Sequence, residues 1–155
     1  MISPKLLSAI ENQFLLPPSS IHGMIHWKHV EAIGAILAVR TRADMEVVSH
    51  FAYLHDAKRL TEDFDPAHGQ RAMRFCIDLS MQGLIHLSAK QFNQLCVACE
   101  KHTDHRFQMK DPTIATCLDA DRLDVERLGE VPFTGWLLTQ EARDVVKEMA
   151  KMLLR

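Results

Sequence analysis

Apolar side chains recur along the chain at intervals of three or four residues, the pattern of amphipathic helices. Alternation with a period of two, bounded by turn residues, is hard to find anywhere in the sequence. The chain is therefore predicted to be all-α, with about six to seven helices. The predicted helices run from Pro4 to before Pro17, from about Gly23 to Arg40, from Asp44 through His55 and Asp56, from Asp65 to about Leu79, from Ser88 to near His102, from Asp111 to near Gly129, and from Thr139 to about 154.

Capping residues mark most of the predicted helix starts. Ser3 and Asp111 each precede a proline, the residue suited to the first position of a helix. Ser88 and Gln91 have the spacing of a capping box, in which each side chain bonds the other residue's backbone N–H. Thr139 is predicted to cap the last helix. These signals divide the chain into helices without indicating a linker between domains.

Length and composition indicate one globular domain covering residues 1–155. Apolar residues make up 47% of the 155 residues and charged residues 25%, which argues against a disordered or low-complexity chain. Lys and Arg number 18 against 20 Asp and Glu, a net charge of −2. No basic field is therefore expected to bind nucleic acid or an anionic membrane.

The sequence also bears on the expected compartment. The first 16 residues lack the cationic start and apolar core of a signal peptide, and the apolar run at 32–39 is short for a membrane span. Four cysteines are too few for a disulfide scaffold. Cys96 and Cys99 form a lone C-x-x-C without a second pair to complete a zinc site. The expected location is the cytoplasm, with the cysteines reduced.

Several polar residues fall on the apolar stripes of the predicted helices when each is drawn at 100° per residue. His26, for example, aligns with Val30, Ile33 and Leu37. A buried polar group without a partner costs about 1–3 kcal/mol, so such residues call for an explanation. The stripe residues are His26, His55, His68, His102 and Asp121, with Asp56 directly after His55.

The two aspartates Asp119 and Asp121 lie about 200° apart on one helix. A helix with a single buried stripe cannot turn both of them inward. Because Asp121 aligns with Ile114, Cys117 and Leu118, it is predicted to face the interior, and Asp119 is predicted to face away.

A shared metal ion explains these inward-facing residues together. A single buried histidine is usually satisfied by a backbone carbonyl. Histidines and carboxylates arriving from five helices are difficult to satisfy separately, whereas a divalent cation satisfies them all. Mixed His and Asp ligands suit Mn, Fe, Co, Ni or Zn, and Mg is also possible.

The residues resemble the HD-domain superfamily of all-α metal-dependent phosphohydrolases. That family's skeleton is an isolated His, then a His-Asp pair, then a distant Asp within a stretch like A-D-R-L. Here those parts are His26, the pair His55-Asp56, and Asp121 in Ala120-Asp121-Arg122-Leu123. The resemblance covers about residues 20–128, with the C-terminal helix, about 140–154, expected to pack on that core. The segment from His22 to Trp27 is similar to the start of small stand-alone HD proteins.

The resemblance implies a metal site built by His26, His55, Asp56 and Asp121, with His68 and His102 as further metal ligands in dinuclear branches. His68 and His102 would otherwise hydrogen-bond substrate or metal-bound water, so one ion and two ions both stay open. Asp56 and His102 are the expected catalytic residues. The candidate substrate-binding residues are His22, Lys58, Arg59 and Arg122.

The implied activity is metal-dependent hydrolysis of a small phosphorylated metabolite or nucleotide, with metal-activated hydroxide as the nucleophile. Nearby cations would offset the charge on the phosphoryl oxygens. Lys58 and Arg59 stand where several nucleotide-cleaving branches carry acidic residues, so no particular substrate follows from the resemblance. The alternatives are a dinuclear iron oxygenase of the same fold and a metal-stabilised binding domain without turnover. A homodimer is possible.

Overall fold

The computed structural model describes residues 2–153, and within them all regular structure is helical. The helices are α1 (Pro4–Gln13), α2 (Met24–Thr41), α3 (Met45–Leu54), α4 (His68–Met81), α5 (Ala89–Lys101), α6 (Pro112–Leu123) and α7 (Gln140–Leu153), with short 3₁₀ helices at Asp124–Leu128 and Thr134–Trp136. The all-α prediction is confirmed. The predicted final position, 154, lies outside the described residues.

Local sequence explains where the helices begin. The Ser3 hydroxyl accepts the Leu6 N–H, and the Asp44 carboxylate accepts the N–H groups of the first turn of α3. Ser88 and Gln91 form both bonds of the predicted capping box. Asp111 caps α6, with Pro112 at its first position. These bonds satisfy backbone donors that a helix leaves unpaired at its N-terminus.

The helices pack around one principal apolar core. α2 packs on α3 and α6, α4 packs on α5, and α3 also contacts α5 and α6. The core includes fully buried Trp27, Phe51, Leu54, Leu95 and Leu118. A smaller apolar cluster joins α7 to the ends of α2 and α6 through Leu37, Leu123, Leu137, Ala142 and Val146.

The prediction for Asp119 is wrong. Its side chain is fully buried and accepts hydrogen bonds from the Leu138 N–H at 2.8 Å and from the Thr139 N–H and hydroxyl, each at 2.7 Å. Ten of the twelve residues of α6 are buried, because the segment leading into α7 covers the side of α6 opposite the main core. A helix enclosed on both sides has no single inward stripe, so Asp119 and Asp121 are both enclosed, in different surroundings.

Candidate metal centre

Six side chains converge where five helices end or begin. His26 lies in the first turn of α2, His68 is the first residue of α4, and Asp121 lies in the last turn of α6. His55 and His102 follow α3 and α5 directly as their C-caps. Asp56 comes next after His55. The sequence analysis named these six residues as metal ligands, and the structure brings all of them together.

The donor atoms form two neighbouring groups. In the first, the Nε2 atoms of His26 and His55 are 3.0 Å apart, and Asp121 Oδ1 lies 3.3 and 3.4 Å from them. In the second, the Nε2 atoms of His68 and His102 are 2.8 Å apart.

Asp56 lies between the two groups. Its Oδ2 is 3.6 Å from His26 Nε2 and 3.8 Å from His55 Nε2. Its Oδ1 is 3.0 Å from His68 Nε2 and 3.5 Å from His102 Nε2. Each carboxylate oxygen of Asp56 therefore faces one group, so this single side chain serves both.

Each of the four imidazoles is anchored through its Nδ1 atom. His26 Nδ1 donates to Asp124 Oδ2 at 2.6 Å, and His55 Nδ1 donates to the Phe51 and Ala52 carbonyls at 3.1 Å. His102 Nδ1 donates to the Cys99 carbonyl at 2.7 Å, and His68 Nδ1 donates to the Asp65 carbonyl. An acceptor on Nδ1 places the proton there in a neutral imidazole, which leaves the Nε2 lone pair directed into the cluster.

The two carboxylates of the cluster are held in the ionised form. Burial alone would raise the pKa values of Asp56 and Asp121, but the charge of His55 and hydrogen bonds from neighbouring histidines hold both well below the usual range. Burial alone would lower the pKa of His26, yet hydrogen bonds to Asp121 and Asp124 raise it to about 9. Burial lowers the pKa of His102, which favours the neutral imidazole. Two ionised carboxylates thus stabilise positive charge at this point.

The donor set fits divalent transition metals. Three overlapping trios of donor atoms each lie within 4.8 Å: His22, His26 and Asp56; His26, His55 and Asp121; and His55, Asp56 and His102. Ligands about 2.0–2.2 Å from one ion lie about 3–3.5 Å from each other, close to the separations seen here. Imidazole and carboxylate donors together suit Mn, Fe, Co, Ni or Zn. Cysteines take part in none of the donor groups found among residues 2–153.

Two glycines allow the helices to approach closely enough to form the cluster. A Cβ on Gly69, next to His68, would lie 2.8 Å from the carbonyl oxygens of both Cys99 and Glu100. A Cβ on Gly34 would lie 2.5 Å from a Val48 methyl carbon. The missing side chain at Gly69 therefore lets the start of α4 rest on the end of α5, which brings His68 to His102.

The four candidate substrate-binding residues differ in position. His22 Nδ1 donates to Asp56 Oδ2 at 2.9 Å, and Arg59 Nη1 lies 3.7 Å from Asp56 Oδ1. Lys58 instead donates to Gln13 at 3.0 Å and lies over the Phe75 ring, on another face of the molecule. Arg122 donates to the carbonyls of Trp136 and Asp104. Of these four candidates, His22 and Arg59 line the cavity above the cluster, and Lys58 and Arg122 do not.

Sequence reasoning did not single out Asp124, or its partners His29 and Arg127, as site residues. Asp124 Oδ2 accepts from His26, Asp124 Oδ1 accepts from His29 at 3.2 Å, and Arg127 Nε donates to Oδ2 at 3.0 Å. Arg127 also donates to the Ile21 carbonyl at 2.7 Å, which ties this network to the segment before α2. The spacing of the two aspartates could have identified Asp124. It follows Asp121 by three residues, and residues three apart on a helix share a face.

The cluster forms one wall of a cavity of about 360 Å³. The remaining walls come from the segment before α2, the loop between α3 and α4, the loop after α5, and the 3₁₀ helix after α6. A cavity of this size accommodates a small organic molecule.

None of the helices within residues 2–153 combines the length and apolar character that a membrane crossing requires.

Comparison with known proteins identifies the fold. No protein-family model matches the chain, and no curated protein matches it by sequence. The structure is similar to that of a predicted HD superfamily hydrolase from an uncultured Thermotogales bacterium, with a TM-score of 0.72 and 21% sequence identity. The match covers 97% of this chain and 86% of the other. The chain therefore has the HD-domain fold expected from its His, His-Asp and Asp residues.

Proposed function

From this HD-domain fold and the donor cluster at its cavity, we propose that the protein is a metal-dependent phosphohydrolase acting on a small phosphorylated metabolite. The observation that carries the proposal is the pair of donor groups joined by Asp56 at the wall of a cavity that also contains Arg59. The similar Thermotogales protein, a predicted HD superfamily hydrolase, supports the reaction class.

The residues divide into holders of metal and holders of phosphate. His26, His55, Asp121 and Asp56 Oδ2 would hold one ion, and His68, His102 and Asp56 Oδ1 a second. Divalent ions at such sites acidify water and draw charge from phosphoryl oxygens. The low pKa of Asp56 keeps its carboxylate ionised and available as a ligand.

Arg59 is the residue we propose to bind the phosphoryl group. Its Nη2 donates to the Asp63 carbonyl at 2.9 Å and its Nε to the Thr61 carbonyl at 3.3 Å, which fixes the guanidinium beside Asp56. A fixed guanidinium stabilises developing negative charge without reorganising. His22, held by Asp56, provides a second hydrogen-bonding group at the same edge of the cavity.

The function is tested by phosphate release. Purified protein is assayed on a panel of phosphate monoesters and nucleotides with Mn²⁺, Co²⁺, Ni²⁺, Zn²⁺ or Mg²⁺. Asp56→Ala should abolish phosphate release, whereas Asp144→Ala, at a half-exposed position of α7, should match the wild type. Oxygen uptake by iron-loaded protein without phosphate release would indicate the oxygenase instead. Tight metal binding with no turnover on any ester would indicate a binding domain.

The number of ions is tested separately by elemental analysis. With saturating metal the protein is expected to bind close to two ions per chain, and His68→Ala or His102→Ala should lower this towards one. The exposed histidine His86 offers a matched control, and His86→Ala should leave the count unchanged. A wild-type count of one would indicate instead that His68 and His102 hydrogen-bond substrate or metal-bound water.

A further inference from the structure

The mouth of the cavity carries three apolar side chains among its polar lining residues. Ile21 comes from the segment before α2, Phe64 from the loop between α3 and α4, and Leu128 from the 3₁₀ helix after α6. These side chains keep 42%, 88% and 47% of their surface exposed. Single exposed apolar residues are ordinary, but three from separate segments around one opening form a binding surface.

The carboxylates near this mouth already have partners. Asp65 Oδ2 accepts from the Leu60 N–H at 3.0 Å and from the Arg71 guanidinium. Asp124 accepts from His26, His29 and Arg127. Hydroxyl groups that lie against Ile21, Phe64 and Leu128 would lose hydrogen bonds to water on entering, so these side chains disfavour a ligand rich in hydroxyl groups.

His105, from the loop after α5, adds an aromatic ring to the mouth. His105 lines the cavity and stacks on Trp136, with ring centroids 4.3 Å apart and planes inclined by 13°. Arg122 bonds carbonyls on both sides of this pair, at Asp104 and Trp136, and so holds the two loops together. The role of Arg122 is therefore to shape the cavity edge rather than to contact phosphate.

We propose that the substrate is a phosphate monoester whose organic group is compact and apolar, lying against Phe64, Ile21 and Leu128 while the phosphate faces Arg59 and the donor cluster. This inference rests on the proposed function, because the cluster defines the phosphate end. Burial of the organic group gives the affinity, and the loss of hydrogen bonds to water by hydroxyls placed against the apolar side chains discriminates against sugar phosphates.

A matched pair of esters tests the proposal. Cyclohexylmethyl phosphate and glucose 6-phosphate each carry a six-membered ring on a primary phosphate ester, so the bond that is broken is similar. The metal-loaded wild type should hydrolyse the cyclohexylmethyl ester with a kcat/KM at least about tenfold higher. Equal rates, or a preference for glucose 6-phosphate, would overturn the proposal while leaving the hydrolase function intact.

The variant Phe64→Ser tests which residue carries this preference, and it removes little packing because Phe64 is 88% exposed. It should lower kcat/KM for the cyclohexylmethyl ester about fivefold or more and change that for glucose 6-phosphate little. Leu15→Ser, at a position 69% exposed and outside the cavity, is the control and should change neither value. An unchanged preference in Phe64→Ser would contradict the assigned surface.

If neither ester is hydrolysed, a binding measurement still tests the apolar surface separately from the hydrolase function. Calorimetry on the Mn²⁺-loaded protein compares cyclohexylmethylphosphonate with methylphosphonate, which share a phosphonate and differ in the organic group. At least about tenfold tighter binding of the larger compound would support the apolar surface even without turnover. Equal binding of the two phosphonates, or binding of neither, would reject it.

Discussion

Asp124 was not predicted as a site residue, but the structure places its carboxylate against His26. Its carboxylate fixes the Nδ1 proton of His26, and it is itself fixed by Arg127. Hydrogen bonds from both partners, after the opposing effect of burial, hold the pKa of Asp124 below its usual value. Asp124 is therefore a positioning residue, acting on the donor cluster through His26.

Replacing Asp124 should weaken metal binding without removing any ligand. In Asp124→Asn, the affinity for Mn²⁺ measured by calorimetry should fall about 10–100-fold, because His26 loses the charged partner that orients it. Asp124→Glu should recover part of the loss. Asp144→Asn, at a half-exposed position of α7, controls for removal of one surface charge. Unchanged affinity in Asp124→Asn would show that His26 needs no such support.

The two aspartates of α6 should have separable effects. Asp121→Asn should remove bound metal, measured by elemental analysis, since Asp121 faces His26 and His55. Asp119→Asn should keep the metal but lower the free energy of unfolding by about 1–2 kcal/mol, because an amide cannot accept all the bonds from Leu138 and Thr139. Equal metal loss in both variants would contradict this division.

Among the helices, the contact between α4 and α5 governs the second donor group. His68 opens α4 and His102 follows α5, so their separation depends on how closely the two helices approach. Gly69 sets that approach through the carbonyls of Cys99 and Glu100. By contrast, His26, His55 and Asp121 lie on α2, α3 and α6, which pack on each other elsewhere in the core.

Gly69→Ala should therefore disturb one donor group more than the other. The added methyl group must displace α4 from α5, so the ion count should fall from near two towards one while circular dichroism shows helix content retained. Gln70→Ala, at the exposed neighbouring position, should bind as many ions as the wild type. A full count in Gly69→Ala would mean that the helices move apart without separating His68 from His102.

The molecule as a whole joins helices that lie far apart in the sequence through one buried polar cluster. The cluster contains two ionised carboxylates, which are costly to bury without a balancing charge. Metal binding is therefore expected to couple to global stability.

Removing metal should lower the melting temperature. At a metal concentration a hundred times Kd, binding to the folded state alone contributes about 2.7 kcal/mol. For a chain of this size that corresponds to a shift of about 5–10 °C in thermal unfolding on addition of a chelator. Asp56→Ala, which lacks the residue shared by both donor groups, should show no chelator-dependent shift. A wild type that melts at the same temperature with and without chelator would contradict the coupling.

Much of the site was predictable because its polar residues occupy helix positions at which the pattern calls for apolar residues. His26 and His68 stand on apolar stripes, and the capping signals at Ser88 and Asp111 place the helices in register. Lys58 and Arg122 were predicted because they lie close to candidate ligands in the sequence. In the structure, Lys58 bonds Gln13 and Arg122 bonds the Trp136 carbonyl, both away from the cluster. Side chains adjacent in a helix or turn diverge by about 100°, so nearness along the chain does not imply a shared site.

The amino-acid sequence by itself determined the helical class and most of the helix starts, and it picked out the six polar residues that meet, because these depend on local capping and on which face of a helix is apolar. It did not determine the start of α4, which was predicted at Asp65 and lies at His68. Only the tertiary structure decided that Asp119 is buried, that Asp56 joins two donor groups, and that Asp124 supports His26. Each of these depends on which helices meet and how closely they approach. Those distances are set by packing between residues remote in the chain, such as Gly69 against Cys99, and no local pattern encodes them.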